Sequence, residues 1–179
     1  MNKKVTVEDY RRGIKMLKES GITVFAAFVI GFPGETEQTI NDNIAFIKET
    51  GLDYYSLKEF YYTHTAPIHK LKDQWNLIGQ GNVWSHKTMT SQEASAHKLR
   101  MFEEVTTSVH VDSDSGLWYL AYLRERGFKW DEIRDIQNLI SNMMHKDNKD
   151  DFYDKSKDEE GLRSLLTAAN FKGKPALHG

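Results

Sequence analysis

Cysteine is absent from all 179 residues. That omission removes disulfides, thiol nucleophiles and any thiolate-ligated zinc or iron–sulfur centre from within this chain. A surplus of one charge is also missing: the formal net charge is -2, so no global positive field draws nucleic acid or a membrane surface. Long apolar runs are lacking as well. The longest, Val24 to Ile30, ends at a Gly-Phe-Pro-Gly turn, far short of a bilayer span. Two N-terminal lysines are followed by no apolar signal segment, so the cytoplasm is the expected compartment.

Hydrophobic residues at 39% and charged residues at 28% suit a globular chain with a real core. Thr6-Val-Glu-Asp9 has the form of a capped helix start, and Val7, Tyr10, Ile14 and Leu17 recur at helical spacing before Gly21. Ile22 to Ile30 is apolar on both faces and predicts a strand covered on both sides. After the turn, Thr36 can cap a second helix striped by Ile40, Ile44 and Ile47 and closed by Gly51, with a second strand near Leu52 to Tyr61. Helix, strand, turn, helix, strand is the grammar of parallel βαβ units.

From Tyr62 to Met89 the pattern weakens and predicts loop or short helix. Thr90-Ser-Gln-Glu93 is a capping box opening a helix with Ala94, Leu99, Phe102 and Val105. Further helices are expected near Ser115 to Arg126 and Asp131 to His145, then a charged loop over Lys146 to Glu160, a short helix near Leu162 to Ala169 and a tail to Gly179. The expected organisation is 1–89, 90–145 as a helical extension, 146–160 as linker and 161–179 as helix and tail.

Two parallel strands do not make a self-sufficient sheet. Each outer edge presents unpaired N–H and C=O groups, and an unpaired buried group costs about 1–3 kcal/mol. The chain therefore reads as a slice of a larger α/β sheet or barrel, or as a protein that pairs its edges by self-association.

Gly31-Phe32-Pro33-Gly34-Glu35-Thr36 joins strand to helix. Pro33-Gly34 predicts a type II turn, placed at the strand's C-terminal edge where α/β sheets bind ligands. It is neither a P-loop nor a Gly-x-Gly-x-x-Gly fingerprint. His64, His69 and His86 lack the spacing of a metal motif, so no metal ligand and no catalytic residue is assigned. Asp112-Ser-Asp-Ser115 lacks the glycine and distal glutamate of a calcium loop and reads as a helix cap. Trp118, Tyr119, Tyr122 and Trp130 are expected to pack between helices.

The run from Gly21 to Thr36, with Leu17-Lys-Glu-Ser before it and Thr39-Ile40 to Phe46-Ile47 after it, resembles the later strand of radical S-adenosylmethionine (SAM) enzymes. The likeness extends over about Lys3 to Val105. Tyr62-Thr-His-Thr-Ala-Pro-Ile-His69 and Trp84 to Met89 look like the cobalamin-associated methyltransferase and peptide- or antibiotic-modifying branches.

The resemblance implies an α/β fold: the C-terminal fragment of a partial (β/α)6 barrel followed by a helical region. It implies SAM and a [4Fe–4S] cluster as cofactors of the full protein, with cobalamin as a possible third, and methyl transfer or a related radical modification as its activity. Val29, Ile30, Gly31, Pro33, Gly34 and Glu35 would flank SAM, and Tyr62 and His64 would be polar groups on the substrate side. The family's Cys-x-x-x-Cys-x-x-Cys loop is missing, so the chain is expected to be inactive alone and to need an N-terminal barrel half as partner. The other class of function is a non-catalytic interaction module using the helices from Thr90 onward.

Overall fold

The computed structural model describes residues 4–111, 116–149 and 152–168. It divides into two units, Met1–Ser108 and Val109–Gly179. In the first, chain order gives helix α1 (Val7–Glu19), strand β1 (Phe25–Ile30), helix α2 (Glu37–Thr50) and strand β2 (Tyr54–Glu59). A 3-10 turn (Pro67–Leu71) and short helix α3 (Lys72–Trp75) lead to strands β3 (Ile78–Gln80), β4 (Val83–His86) and β5 (Met89–Thr90), then helix α4 (Ser91–Glu104).

The helix starts follow from local chemistry. Thr6, Thr36 and Thr90 lie in extended backbone, and each hydroxyl accepts the N–H three residues on. Asp9, Thr39 and Glu93 accept from the cap residue's own N–H, completing three capping boxes. Gly51 closes α2 at φ 59°, a left-handed position that favours glycine.

β1 and β2 pair in parallel, in register from Phe25 opposite Tyr54 to Ile30 opposite Glu59. Ala26, Phe28 and Ile30 share the face that meets the helices, where Phe28 packs edge-on against Phe46 of α2. Ile40, Ile44 and Ile47 fill that core, joined by Ala94 and Met101 of α4. Helix α4 thus completes the first unit's core, and the division falls at Ser108 rather than at 89.

The expectation that β1 is covered on both faces is corrected. Phe25 is half-buried, and Ala27 and Val29 are exposed. The carbonyls of Val24, just before β1, and of Ile30 at its end accept from Tyr54 and from Phe60, just after β2. In a parallel ladder the main-chain groups alternate between neighbours, so those of Phe25, Ala27 and Val29 point away from β2. No strand pairs with that outer edge of β1 among the described residues.

The segment 62–89, expected as loop, forms an antiparallel meander with order β3-β4-β5. A two-residue Gly81-Asn82 turn joins β3 to β4, with Gly81 at φ 65°. This is the hairpin chemistry of a glycine at positive φ in a tight connection.

The second unit holds β6 (Val109–His110) and helices α5 (Gly116–Glu125), α6 (Trp130–Lys149) and α7 (Ser156–Ala168). Its buried side chains include Leu120, Leu123, Phe128, Ile133 and Ile136. The charged stretch expected as linker is largely helical. Lys146 pairs with Asp158 at 2.6 Å and Lys155 with Asp147 at 2.8 Å, so opposite charges stitch α6 to the start of α7. Not all the aromatic residues of α5 and the start of α6 pack inward as expected: Trp118 is 80% exposed, and Trp130 lies under the Arg124 guanidinium. Asp112 to Ser115 and the tail from Phe171 lie outside the described residues. No helix among the described residues is long and apolar enough to cross a membrane.

Truncating Ile40 or Ile47, both fully buried, to alanine is expected to cost about 2–5 kcal/mol. Thr90→Ala should cost about 1 kcal/mol. Urea denaturation of the three variants checks this order.

Candidate functional site

The C-terminal ends of β1 and β2 carry the residues that can do chemistry. Phe32 to Glu35 forms the expected turn: the Glu35 N–H donates to the Phe32 carbonyl at 2.9 Å, and Gly34 takes φ 99°. With Pro33 and Gly34 at its two central positions, this is a type II turn.

The Glu35 side chain folds back and ties the turn together. Its carboxylate accepts the backbone N–H groups of Gly31 and Phe32, and Asn43 of α2 donates to its other oxygen at 3.3 Å. Burial pushes its pKa above the ordinary carboxylate value, and this outweighs the opposing pull of those donors.

Two indoles explain the glycines. A Cβ on Gly31 would lie 2.4 Å from Trp84 and 2.8 Å from Ala94. One on Gly34 would lie 2.9 Å from Trp75. Trp84 is held by its own Nε1–H, which donates to the Phe60 carbonyl at 2.7 Å. His86 stacks on Trp84 with ring planes 3° apart, and its Nε2 meets the Gly31 carbonyl at 3.0 Å. The meander thus clamps the turn from one side.

The six residues expected around SAM are distributed unevenly. Ile30, Gly31 and Pro33 are buried, Gly34 and Glu35 half-buried, and Val29 is 43% exposed. The backbone groups of Gly31 are committed to Glu35 and His86, so Val29 is the accessible member, with its main chain on the open edge.

Beyond β2, an aromatic cluster extends from the turn. Phe32 packs edge-on to Phe60, and Phe60 stacks with Tyr62. Tyr62 is buried, and backbone hydrogen bonds to Gly81 fix it in both directions, at 3.0 and 2.7 Å. Its hydroxyl lies 2.7 Å from His69 Nδ1. His64 is exposed, its ring 5.5 Å from Tyr62 and 4.9 Å from His69. The structure therefore brings Tyr62 and His64 together with His69, which had no assigned role. His86 stands apart, against the turn. The signal for the grouping was the Ala66-Pro67 start of a 3-10 turn, which swings His69 back over Tyr62.

The residues present do not fit an iron–sulfur cluster, since thiolates are its ordinary ligands and the sequence has none. Among the described residues no group of three or more His, Cys, Asp and Glu could hold a metal.

Gly31→Ala is expected to destabilise the protein by more than 2 kcal/mol, on the order of an overpacking penalty plus positive-φ strain. Charge-neutral changes on the exposed face of α7 should leave the melting temperature nearly unchanged. Glu35 has a raised pKa in the folded state, so the native state takes up its proton first as pH falls. Its contribution to stability is then greatest in acid and lost as pH rises through the raised pKa. Melting temperatures of the wild type, relative to Glu35→Gln, should fall as pH rises through and above the ordinary glutamate value of 4.5; a rise over that range contradicts the assignment.

Comparison with known proteins places these features beside one group of enzymes. No protein-family model matches the chain, and no solved structure matches it. The chain is 31% identical over 119 residues to the tRNA-2-methylthio-N(6)-dimethylallyladenosine synthase of Clostridium novyi, covering 64% of this chain and 26% of that protein. It is 32% identical over 76 residues to the ribosomal protein uS12 methylthiotransferase of Heliobacterium modesticaldum, covering 41% and 16%. Against the human threonylcarbamoyladenosine tRNA methylthiotransferase the identity is 30% over 74 residues, covering 40% and 13%. The chain thus spans about a quarter or less of the length of these relatives, which are radical SAM methylthiotransferases.

Proposed function

We propose that this chain is the C-terminal section of a radical SAM barrel, working only when a cysteine-bearing segment completes the sheet along the outer edge of β1. The observation that carries this is the pairing of two deficits: a parallel strand with an unpaired edge and an exposed face, and a sequence without a cluster ligand. The likeness to methylthiotransferases supports the same reading. The completing segment belongs to the same or another polypeptide.

In the completed protein, the cluster and SAM would supply a 5′-deoxyadenosyl radical. This chain's own residues would bind and shape. Val29 offers an exposed apolar side chain to the adenine ring. Glu35, Trp84 and His86 hold the adjoining turn rigid, so that edge is preorganised before SAM arrives. Tyr62, His64 and His69 would face the substrate.

The relatives' names specify methylthio transfer to tRNA bases and a ribosomal protein, so methylthio or methyl transfer is the proposed reaction class of the whole protein. Cobalamin finds no support among them and forms no part of the proposal.

Iron–sulfur reconstitution of the chain alone is expected to give no cluster absorbance and no SAM binding tighter than about millimolar. Combined with a cysteine-bearing segment, the chain should take up the cluster and form 5′-deoxyadenosine. Ala27→Pro removes an N–H aimed at the open edge while sparing the β2 ladder, and should block that association. Micromolar SAM binding by the isolated chain would overturn the proposal.

A further inference from the structure

Tyr62, His64 and His69 form a cluster of three rings in mutual contact that no sequence motif marks. We propose that His64 and His69 chelate a single late divalent transition metal, copper(II) by preference, with Tyr62 as the group that orients His69.

Three observations converge. The first is ring spacing. A metal bonded to imidazole nitrogen at about 2.0–2.1 Å lies about 3.2 Å from the ring centre. Two such rings bound cis, at about 90–110°, then have centroids about 4.5–5.2 Å apart by the same geometry, a range that contains the spacing seen here. The His64 and His69 centroids are 4.9 Å apart with planes tilted by 37°. The second is the orienting partner. Metal-binding histidines donate their remaining ring N–H to a fixed acceptor, which settles the tautomer. Tyr62 Oη lies 2.7 Å from His69 Nδ1, so Nδ1–H can donate to it and leave the Nε2 lone pair for the metal. The third is rigidity. Tyr62 is 1% exposed, stacked on Phe60 and bonded through its backbone to Gly81, and the His69 N–H donates to the Ala66 carbonyl within the 3-10 turn.

Imidazole is a borderline donor that suits copper(II), nickel(II) and zinc(II), and intrinsic affinity peaks at copper(II). Among the described residues no carboxylate joins the two imidazoles as a third ligand, which leaves the remaining coordination positions to water or to an oxygen or nitrogen of an arriving substrate. His64 is exposed, so those positions are open to solvent. The proposal does not rest on the barrel reading, because it concerns three side chains of one unit.

Aqueous copper(II) titrated into the full chain tests it, followed by calorimetry and by electron paramagnetic resonance. One equivalent is expected to bind with a two-nitrogen signal. His64→Gln and His69→Gln should each lower affinity at least about tenfold and reduce the signal to one nitrogen, because the second donor acts at high effective concentration. Tyr62→Phe should lower affinity about tenfold while keeping both nitrogens, as loss of an orienting partner does. His64 is exposed, so its variant should keep the wild-type melting temperature. Unchanged copper affinity in both histidine variants, or a one-nitrogen signal in the wild type, overturns the proposal.

Discussion

A parallel strand has two hydrogen-bonding edges, and both must be satisfied where water is excluded. β1 satisfies one of them. Val24 and Ile30 are bonded to β2 at either end of the ladder, whereas Phe25, Ala27 and Val29 present their main chain outward. The same strand is apolar along its whole length, and Val29 is left 43% exposed. Edges of this kind invite pairing unless charge, proline or a bulge blunts them. β1 carries none of these, so it is built to receive another strand.

That edge lies beside a turn whose form is held independently of any partner. Glu35 gathers the N–H groups of Gly31 and Phe32, Trp84 fills the space a Cβ would take at Gly31, and Trp75 does so at Gly34. The turn's glycines therefore serve close packing by the chain's own indoles as well as the geometry of reversal. The aromatic line from Phe32 through Phe60 to Tyr62 carries this rigidity to the two histidines. Open edge, fixed turn and imidazole pair all lie at the same ends of the two strands, where α/β sheets place their chemistry.

Much of the first unit was legible because its signals are local. The hydroxyl caps at Thr6, Thr36 and Thr90, the isoleucine stripe of α2 and the Pro33-Gly34 turn each act within four residues. The meander was missed because its strands are two to four residues long and give no periodicity to count. The Gly81-Asn82 dipeptide between Ile78 and Val83 was its readable mark. Lys146 to Glu160 was misjudged because charge alone suggests a solvated loop, while ion pairs between Lys146 and Asp158 and between Lys155 and Asp147 hold helices there. The radical SAM resemblance came from Gly21 to Thr36, and the methylthiotransferase relatives agree with it at that level. The cobalamin branch, suggested by the same run and by Tyr62 to Met89, finds no support among those relatives. His69 carries no assigned role in the sequence because its meeting with Tyr62 depends on the 3-10 turn.

Amide hydrogen exchange along β1, measured on the chain alone at low concentration, tests the open edge most directly. Fast exchange at Phe25, Ala27 and Val29 alternating with slow exchange at Ala26, Phe28 and Ile30 is the expected pattern. Uniform protection of all six amides would show an edge already paired, and no place for a completing strand.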